Sequence, residues 1–133
     1  MKIVLDTNVI ISAIFFGGNP RRLMEHLFRD DFSVYVSPEI VQEYFETYNE
    51  VHKKYSNRGN PILLTKIIEK TNVIVPQNKI SLCRDPDDDK FISCAIEGKC
   101  LYIVSGDNDL LSLGKVENVK IVTIAKFLEL IEK

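Results

Sequence analysis

Acidic side chains are the residues of this chain whose types and spacing point to chemistry. Asp6 closes the apolar run KIVL at 2–5, and Glu43 stands early in a helical pattern that opens at Pro38. Four aspartates crowd positions 85–89 in DPDDDKFISCAIEG, and Asp107 and Asp109 follow LYIV in the segment SGDND. Carboxylates held close together repel, and burial raises their pKa values unless cations compensate. No matching cluster of Lys, Arg or His lies near them in sequence, so a divalent ion is the natural compensator. All-oxygen ligation selects Mg2+ or Mn2+ over zinc. A few protein carboxylates leave coordination positions for phosphate oxygens, and metal-assisted phosphodiester hydrolysis is the reaction class that follows.

Such a cluster exists only if the fold gathers it. The sequence alternates strand and helix patterns without a linker: a strand at 2–5, then a helix over 9–15 opened by Thr7 or Asn8. GGNP at 17–20 reads as a turn with Asn19 as N-cap and Pro20 at the first helical position. A strand at 33–36 is followed by a helix from Pro38 to about Tyr55, its Ile40, Tyr44, Tyr48, Val51 and Tyr55 on one face. A further helix at 61–70, strands at 73–75, 101–104 and 121–123, and a terminal helix complete the pattern. Strands alternating with helices imply parallel pairing and right-handed crossovers. The fold class is therefore α/β, with three α/β/α layers around a parallel sheet of about five strands. In such sheets the ligand site lies beyond the carboxyl ends of the strands. Asp6, Glu43, Asp85–Asp89, Asp107 and Asp109 all fall at that edge.

Each acid also has a plainer reading. Asp6 precedes an apolar helix and is one of three N-cap candidates in DTN, which needs only one. Glu39, Glu43, Glu46 and Glu50 step by four, three and four, as a solvated helix face does. Asp107 and Asp109 suit side-chain to backbone bonds in a turn. Asp85 as N-cap, Pro86 at the next position and Asp87 behind it account for a helix start. Asp89 comes one residue late for that. On a helical wheel Asp88 lies in phase with the centre of the Phe91, Ile92, Ala95 and Ile96 face, and Asp89 lies at its edge. One or both turn towards the core face.

Bulk properties narrow the class. With 17 basic and 19 acidic residues the net charge is −2, which argues against a protein that lives on nonspecific attraction to phosphates. The N-terminal segment has an aspartate inside its apolar stretch and no small-residue cleavage site, and no apolar run reaches membrane-spanning length; a cytosolic location is expected. Three cysteines, Cys83, Cys94 and Cys100, form no C-x-x-C pair and read as reduced, half-buried thiols. His26 and His52 sit on polar helix flanks and read as surface residues. There is no phosphate-binding G-x-x-x-x-G-K-[ST] loop and no G-x-S-x-G elbow. A metal-dependent phosphatase or phospho-acceptor domain is the nearest alternative chemistry, but a phosphatase calls for a second acid two residues after the first, and position 8 is Asn.

Four segments in order, KIVLDTNVIISAIFFGG, SPEIVQEYFETY, CRDPDDDKFISCAIEGKCLYIVSGDNDLLSL and VKIVTIAKFLELI, resemble the PIN-domain family over essentially the whole chain. More narrowly they resemble its compact prokaryotic members of the VapC toxin type. The resemblance implies a single domain over residues 1–133 and a Mg2+- or Mn2+-dependent ribonuclease acting as the toxin of a toxin–antitoxin pair. It implies an RNA substrate and an antitoxin partner. It assigns Asp6, Glu43, Asp89 and Asp107 as the catalytic acids, with Asp6, Asp89 and Asp107 on the metal and Glu43 on a water or a second ion. It lifts Glu43 out of the solvated stripe and picks Asp89 where the wheel favours Asp88. Asn8 and Ser105 are expected to hydrogen-bond these ligands, with Asp88 and Asp109 in reserve. Arg21, Arg22, Lys53, Lys54 and Arg58 are the basic groups available to RNA, with solvated helix ends and loop an equally good reading of them, and the aromatic helix at 40–55 suits either a homodimer or the core. A PIN-like module that keeps the acids without cleaving is the alternative from another class.

Overall fold

The computed structural model describes residues 1–133. Six strands form one sheet: β1 (Lys2–Leu5), β2 (Ser33–Val36), β3 (Thr71–Val73), β4 (Tyr102–Val104), β5 (Lys115–Val116) and β6 (Val119–Val122). Their order is β3-β2-β1-β4-β6-β5. The first five in that order are mutually parallel, and only β5 runs antiparallel, beside β6. In register, Ile3 lies between Val34 and Tyr102. Ile3, Val4 and Leu5 are fully buried, as a central parallel strand covered on both faces must be. The helices that cover it are α1 (Thr7–Phe15), α2 (Gly18–Phe28), α3 (Pro38–Lys54), α4 (Pro61–Glu69), α5 (Asp89–Glu97), α6 (Asn108–Leu111) and α7 (Ile124–Ile131). The result is the expected α/β/α sandwich.

Local chemistry sets the helix starts. Ser37 Oγ accepts from the Ile40 amide at 3.3 Å with Pro38 behind it, and Asn60 Oδ1 accepts from the Leu63 amide at 3.0 Å with Pro61 behind it. Thr123 Oγ1 caps α7 through the Lys126 amide at 3.1 Å. At α2 the expectation fails: the helix begins at Gly18, and Asn19 lies inside it rather than capping it. Gly17 and Gly18 take φ of 83° and 67°, which lets the chain turn a residue early. Arg21 then reaches back to the Ala13 and Ile14 carbonyls, each at 3.0 Å, and satisfies the open end of α1.

Other expectations shift for similar reasons. β3 enters the sheet at 71 rather than 73, because the Thr71 hydroxyl bonds the Ile68 carbonyl at 2.6 Å and leaves no loop after α4. The two-residue β5 and the one-turn α6 are too short to leave a periodic signal. Tyr44 and Tyr48 are core residues, whereas Tyr55 and Phe45 are exposed. Cys94 and Cys100 are buried, not half-buried. His26 is no surface residue: only 8% exposed, it bonds Asp31 at 2.7 Å and Glu132 at 2.8 Å, tying α2 to the end of α7. The bonds to Glu132 and Asp31 raise its pKa against the opposing effect of burial.

Candidate active site

Strand order turns outward from the middle of the sheet: β2 and β3 follow to one side of β1, and β6 and β5 follow to the other side of β4. Loops leaving the carboxyl ends of β1 and β4 therefore part in opposite directions and leave a crevice. Asp6 ends β1 there, its amide bonded to the Val104 carbonyl at 2.9 Å, and Ser105 and Asp107 leave β4 beside it.

Asp6 begins α1 but makes no side-chain cap. Its carboxylate, on a residue only 5% exposed, instead accepts from Ser105 Oγ at 2.6 Å. The same Ser105 oxygen accepts from the Asp107 amide at 2.9 Å, so one hydroxyl fixes both acids. Burial raises the Asp6 pKa; the bonds from Ser105 and the Thr7 amide oppose this, and the charges of Glu43 and Asp107 add to it. Asp107 also caps α6 weakly, accepting from the Asp109 amide at 3.4 Å.

Glu43 has left its solvated stripe. The Thr7 hydroxyl, next to Asp6, donates to Glu43 Oε2. Lys90 Nζ lies 2.6 Å from Glu43 Oε1 and also donates to the Asp87 carbonyl at 2.6 Å. The neighbouring Tyr44 is fully buried and donates to the Leu5 carbonyl at 2.6 Å, pinning this turn of α3 to the end of β1. Lys90 is the cation that a search for basic clusters misses, because it stands alone among acids in sequence.

The structure separates the two aspartates between which the sequence left a choice. Residues Pro86–Asp88 form a short 3-10 turn, started by Asp85 accepting from the Asp87 amide at 3.0 Å, and α5 begins only at Asp89. Asp88 stands on the side of Asp107 and Asp6. Burial, the proximity of the Asp107 carboxyl and the charges of Asp107, Asp6 and Asp85 push its pKa up to about 7. Asp89, the metal ligand implied by the resemblance, turns the other way. Its Oδ1 accepts from the Leu82 amide at 3.0 Å and the Cys83 amide at 2.7 Å. Burial opposes ionisation there, but the amides outweigh it and hold the carboxyl below its ordinary range. Asp89 belongs to a different stripe: Ser93 Oγ and Glu97 Oε1, four and eight residues on, accept from the Ile80 amide at 2.9 Å and the Gln77 amide at 2.7 Å. Three side chains of α5 thus staple the loop 77–83 by its main chain. Of the remaining candidates, Ser105 does bond a predicted acid, and Asn8 is exposed.

The crevice thus holds Asp6, Asp88, Asp107 and Glu43, with Lys90 against Glu43 alone. Asp88 lies beside Asp107 with no counter-charge between them, and no three acids are arranged as a ready-made metal site. An all-oxygen set whose members push one another's pKa values upward is chemically suited to a hard divalent cation. A cavity of about 470 Å³ flanks the acids, lined by Pro38, Val75, Lys79, Pro86, Asp87 and Lys90 among others. A more open hollow of about 240 Å³ shares Asp87 and Lys90 with it and reaches Glu43. Neither is lined by Asp6, Asp88 or Asp107.

The sequence matches the PIN domain over residues 2–109. An uncharacterized protein of Methanocaldococcus jannaschii, MJ1680, is 37% identical over an alignment of 145 positions covering all of this chain and 93% of the relative. A crystal structure of VapBC2 from Rickettsia felis, bound to a DNA fragment from its promoter, shares the fold at a TM-score of 0.63 and 16% identity, over 92% of this chain and 98% of that one. The strand order, the acids at its switch point and the extent of the sequence match together make this chain a member of the PIN-domain family.

Proposed function

We propose that the chain is a metal-dependent endoribonuclease hydrolysing RNA phosphodiester bonds. The observation that carries this reading is the contact between Asp88 and Asp107 beside buried Asp6, a mutual repulsion that a divalent ion would relieve. Asp6, Asp88 and Asp107 would hold Mg2+ or Mn2+, with Asp88 replacing the Asp89 that the resemblance implies. Bound there, the ion would supply positive charge as the attacking and leaving oxygens of the phosphodiester gain negative charge. Ser105 holds Asp6 and the Asp107 main chain in one arrangement, which fixes the ligands in advance. Glu43, clamped by Thr7 on one oxygen and Lys90 on the other, has lone pairs free to orient a water. Asp88, its pKa raised to about 7, would have to be ionised to serve as a ligand.

Membership of the family and likeness to the VapBC2 fold support a biological role as a toxin held by an antitoxin, in the cytosol. No helix is long and apolar enough to cross a membrane. Exposed Phe45 on α3 is available to a second copy of the chain. The test of the activity is Asp6→Asn. The variant is expected to fold and to lose Mg2+-dependent cleavage of RNA; full activity in it would overturn the assignment.

A further inference from the structure

The open faces of α1 and α3 lead away from the acids to a second feature. Between Asn8 and Phe16 only Ser12 is not buried, so Asn8, Ser12 and Phe16 form a single outward stripe with a spacing of four. α3 runs alongside in the same direction: Thr7 meets Glu43 at one end, and Phe16 meets Tyr55 edge-on at the other, ring centroids 5.1 Å apart. Phe16 is 52% exposed and Tyr55 40%. The Arg58 guanidinium lies 5.7 Å from the Phe16 centroid and 5.8 Å from that of Tyr55. Lys53 and Lys54 are exposed beside them, and none of these three cations has an acidic partner. Over residues 48–58 Glu50 is the only acid.

Exposed rings with a cation across them are what a single-stranded nucleic acid uses, each base having a flat face and each phosphate a charge. The stripe from the acids to the rings is polar, through Asn8 and Ser12, whereas a groove for a partner helix would be apolar along its length. A nine-residue helix spans about 14 Å, a few nucleotides of extended chain. We propose that Phe16, Tyr55 and Arg58 form a base-stacking platform for single-stranded RNA, a few nucleotides from the bond cleaved at the acids. The proposal rests on the ribonuclease reading and adds where the strand runs.

The test uses two fluorescein-labelled RNAs, an unstructured one of about 12 nucleotides and a dinucleotide, whose single phosphodiester spans roughly half the distance from the acids to the rings. In Phe16→Ala/Tyr55→Ala, KM for the longer RNA rises roughly tenfold or more with kcat unchanged, as loss of a stacked base predicts, and the shorter RNA is unaffected. Phe16→Leu keeps the apolar bulk without the flat face and loses affinity in the same direction, which guards against a fold defect in the double variant. Arg58→Ala flattens the salt dependence. An unchanged KM for the longer RNA overturns the platform, as does loss of self-association without a change in KM, which would make the rings a contact between copies. If the native protein cleaves neither RNA in Mg2+ or Mn2+, the ribonuclease reading fails instead. Fluorescence anisotropy of the longer RNA then decides the platform alone, equal binding by native and double-variant protein overturning it.

Discussion

Asp88 and Asp89 are adjacent, chemically identical and oppositely placed, so their replacement should move stability in opposite directions. A carboxyl raised from 3.8 to about 7 binds its proton more tightly folded than unfolded. Its contribution is therefore fully present below pH 3.8, declines as pH rises towards 7, and is absent above that. At pH 8 without metal, ionised Asp88 works against the fold. At about 1.4 kcal/mol per tenfold change in proton affinity the strain is about 4 kcal/mol with no solvent, and screening of this partly exposed side chain reduces it to roughly 1–2 kcal/mol. Asp88→Asn should thus raise the melting temperature of metal-free protein at pH 8 by about 3–10 °C while abolishing Mn2+-induced stabilisation and RNA cleavage. Asp89→Ala removes the acceptor for the Leu82 and Cys83 amides and should cost about 2 kcal/mol, with cleavage retained below its lowered melting temperature. Thermal melts at pH 8 in EDTA and in Mn2+, with a cleavage assay on the same samples, check both. A fall in melting temperature for Asp88→Asn, or full activity in it, refutes the assignment of Asp88 to the crevice.

Two further outcomes follow from contacts around the site. Tyr44→Phe should destabilise by about 1–1.5 kcal/mol, because the Leu5 carbonyl loses its buried partner, and should also reduce kcat by loosening Glu43 against Asp6; wild-type cleavage kinetics would separate the pin from the catalytic geometry. His26, facing Asp31, Glu132, Arg22 and Arg29, has a raised pKa, so its stabilising effect is full below pH 6.5 and is lost as pH rises through the folded value. The gap in melting temperature between wild type and His26→Gln should accordingly be wide at pH 5.5 and narrow at pH 8.5; a gap independent of pH would show that the ring acts by packing alone.

The sheet and its acid edge were legible because apolar runs ending in Asp or Ser-Gly-Asp are local signals, and parallel pairing then brings their ends together. The choice between Asp88 and Asp89 was half legible. The helical wheel put Asp88 nearer the core face, and the structure turns Asp88 towards Asp107 and Asp89 towards the Leu82 and Cys83 amides. What the wheel could not contain is the stripe of Asp89, Ser93 and Glu97, because its partners are main-chain amides of a loop with no periodicity of its own. The same limit hid His26, whose second carboxylate arrives from Glu132, 106 residues away. Lys90 was overlooked for the opposite reason: its partner is distant, but its neighbours in sequence are acids.

The staple between α5 and the loop 77–83 also governs how freely this protein can change. Every one of its bonds ends on a backbone N–H, and only proline lacks that group. The identities of exposed Gln77, Lys79, Ser81 and Leu82 are therefore uncoupled from the position of the loop. Lys79 and Ser81 line the cavity of about 470 Å³ beside the acids. Mutation can thus recolour one wall of that cavity, in charge and in size, while the helix continues to grip it in place. A lineage could retune what this edge of the site accepts without risk to the four acids, the single letter that the staple forbids at exposed 77 and 82 being proline, while Ile80 and Cys83 also answer to the core they pack on.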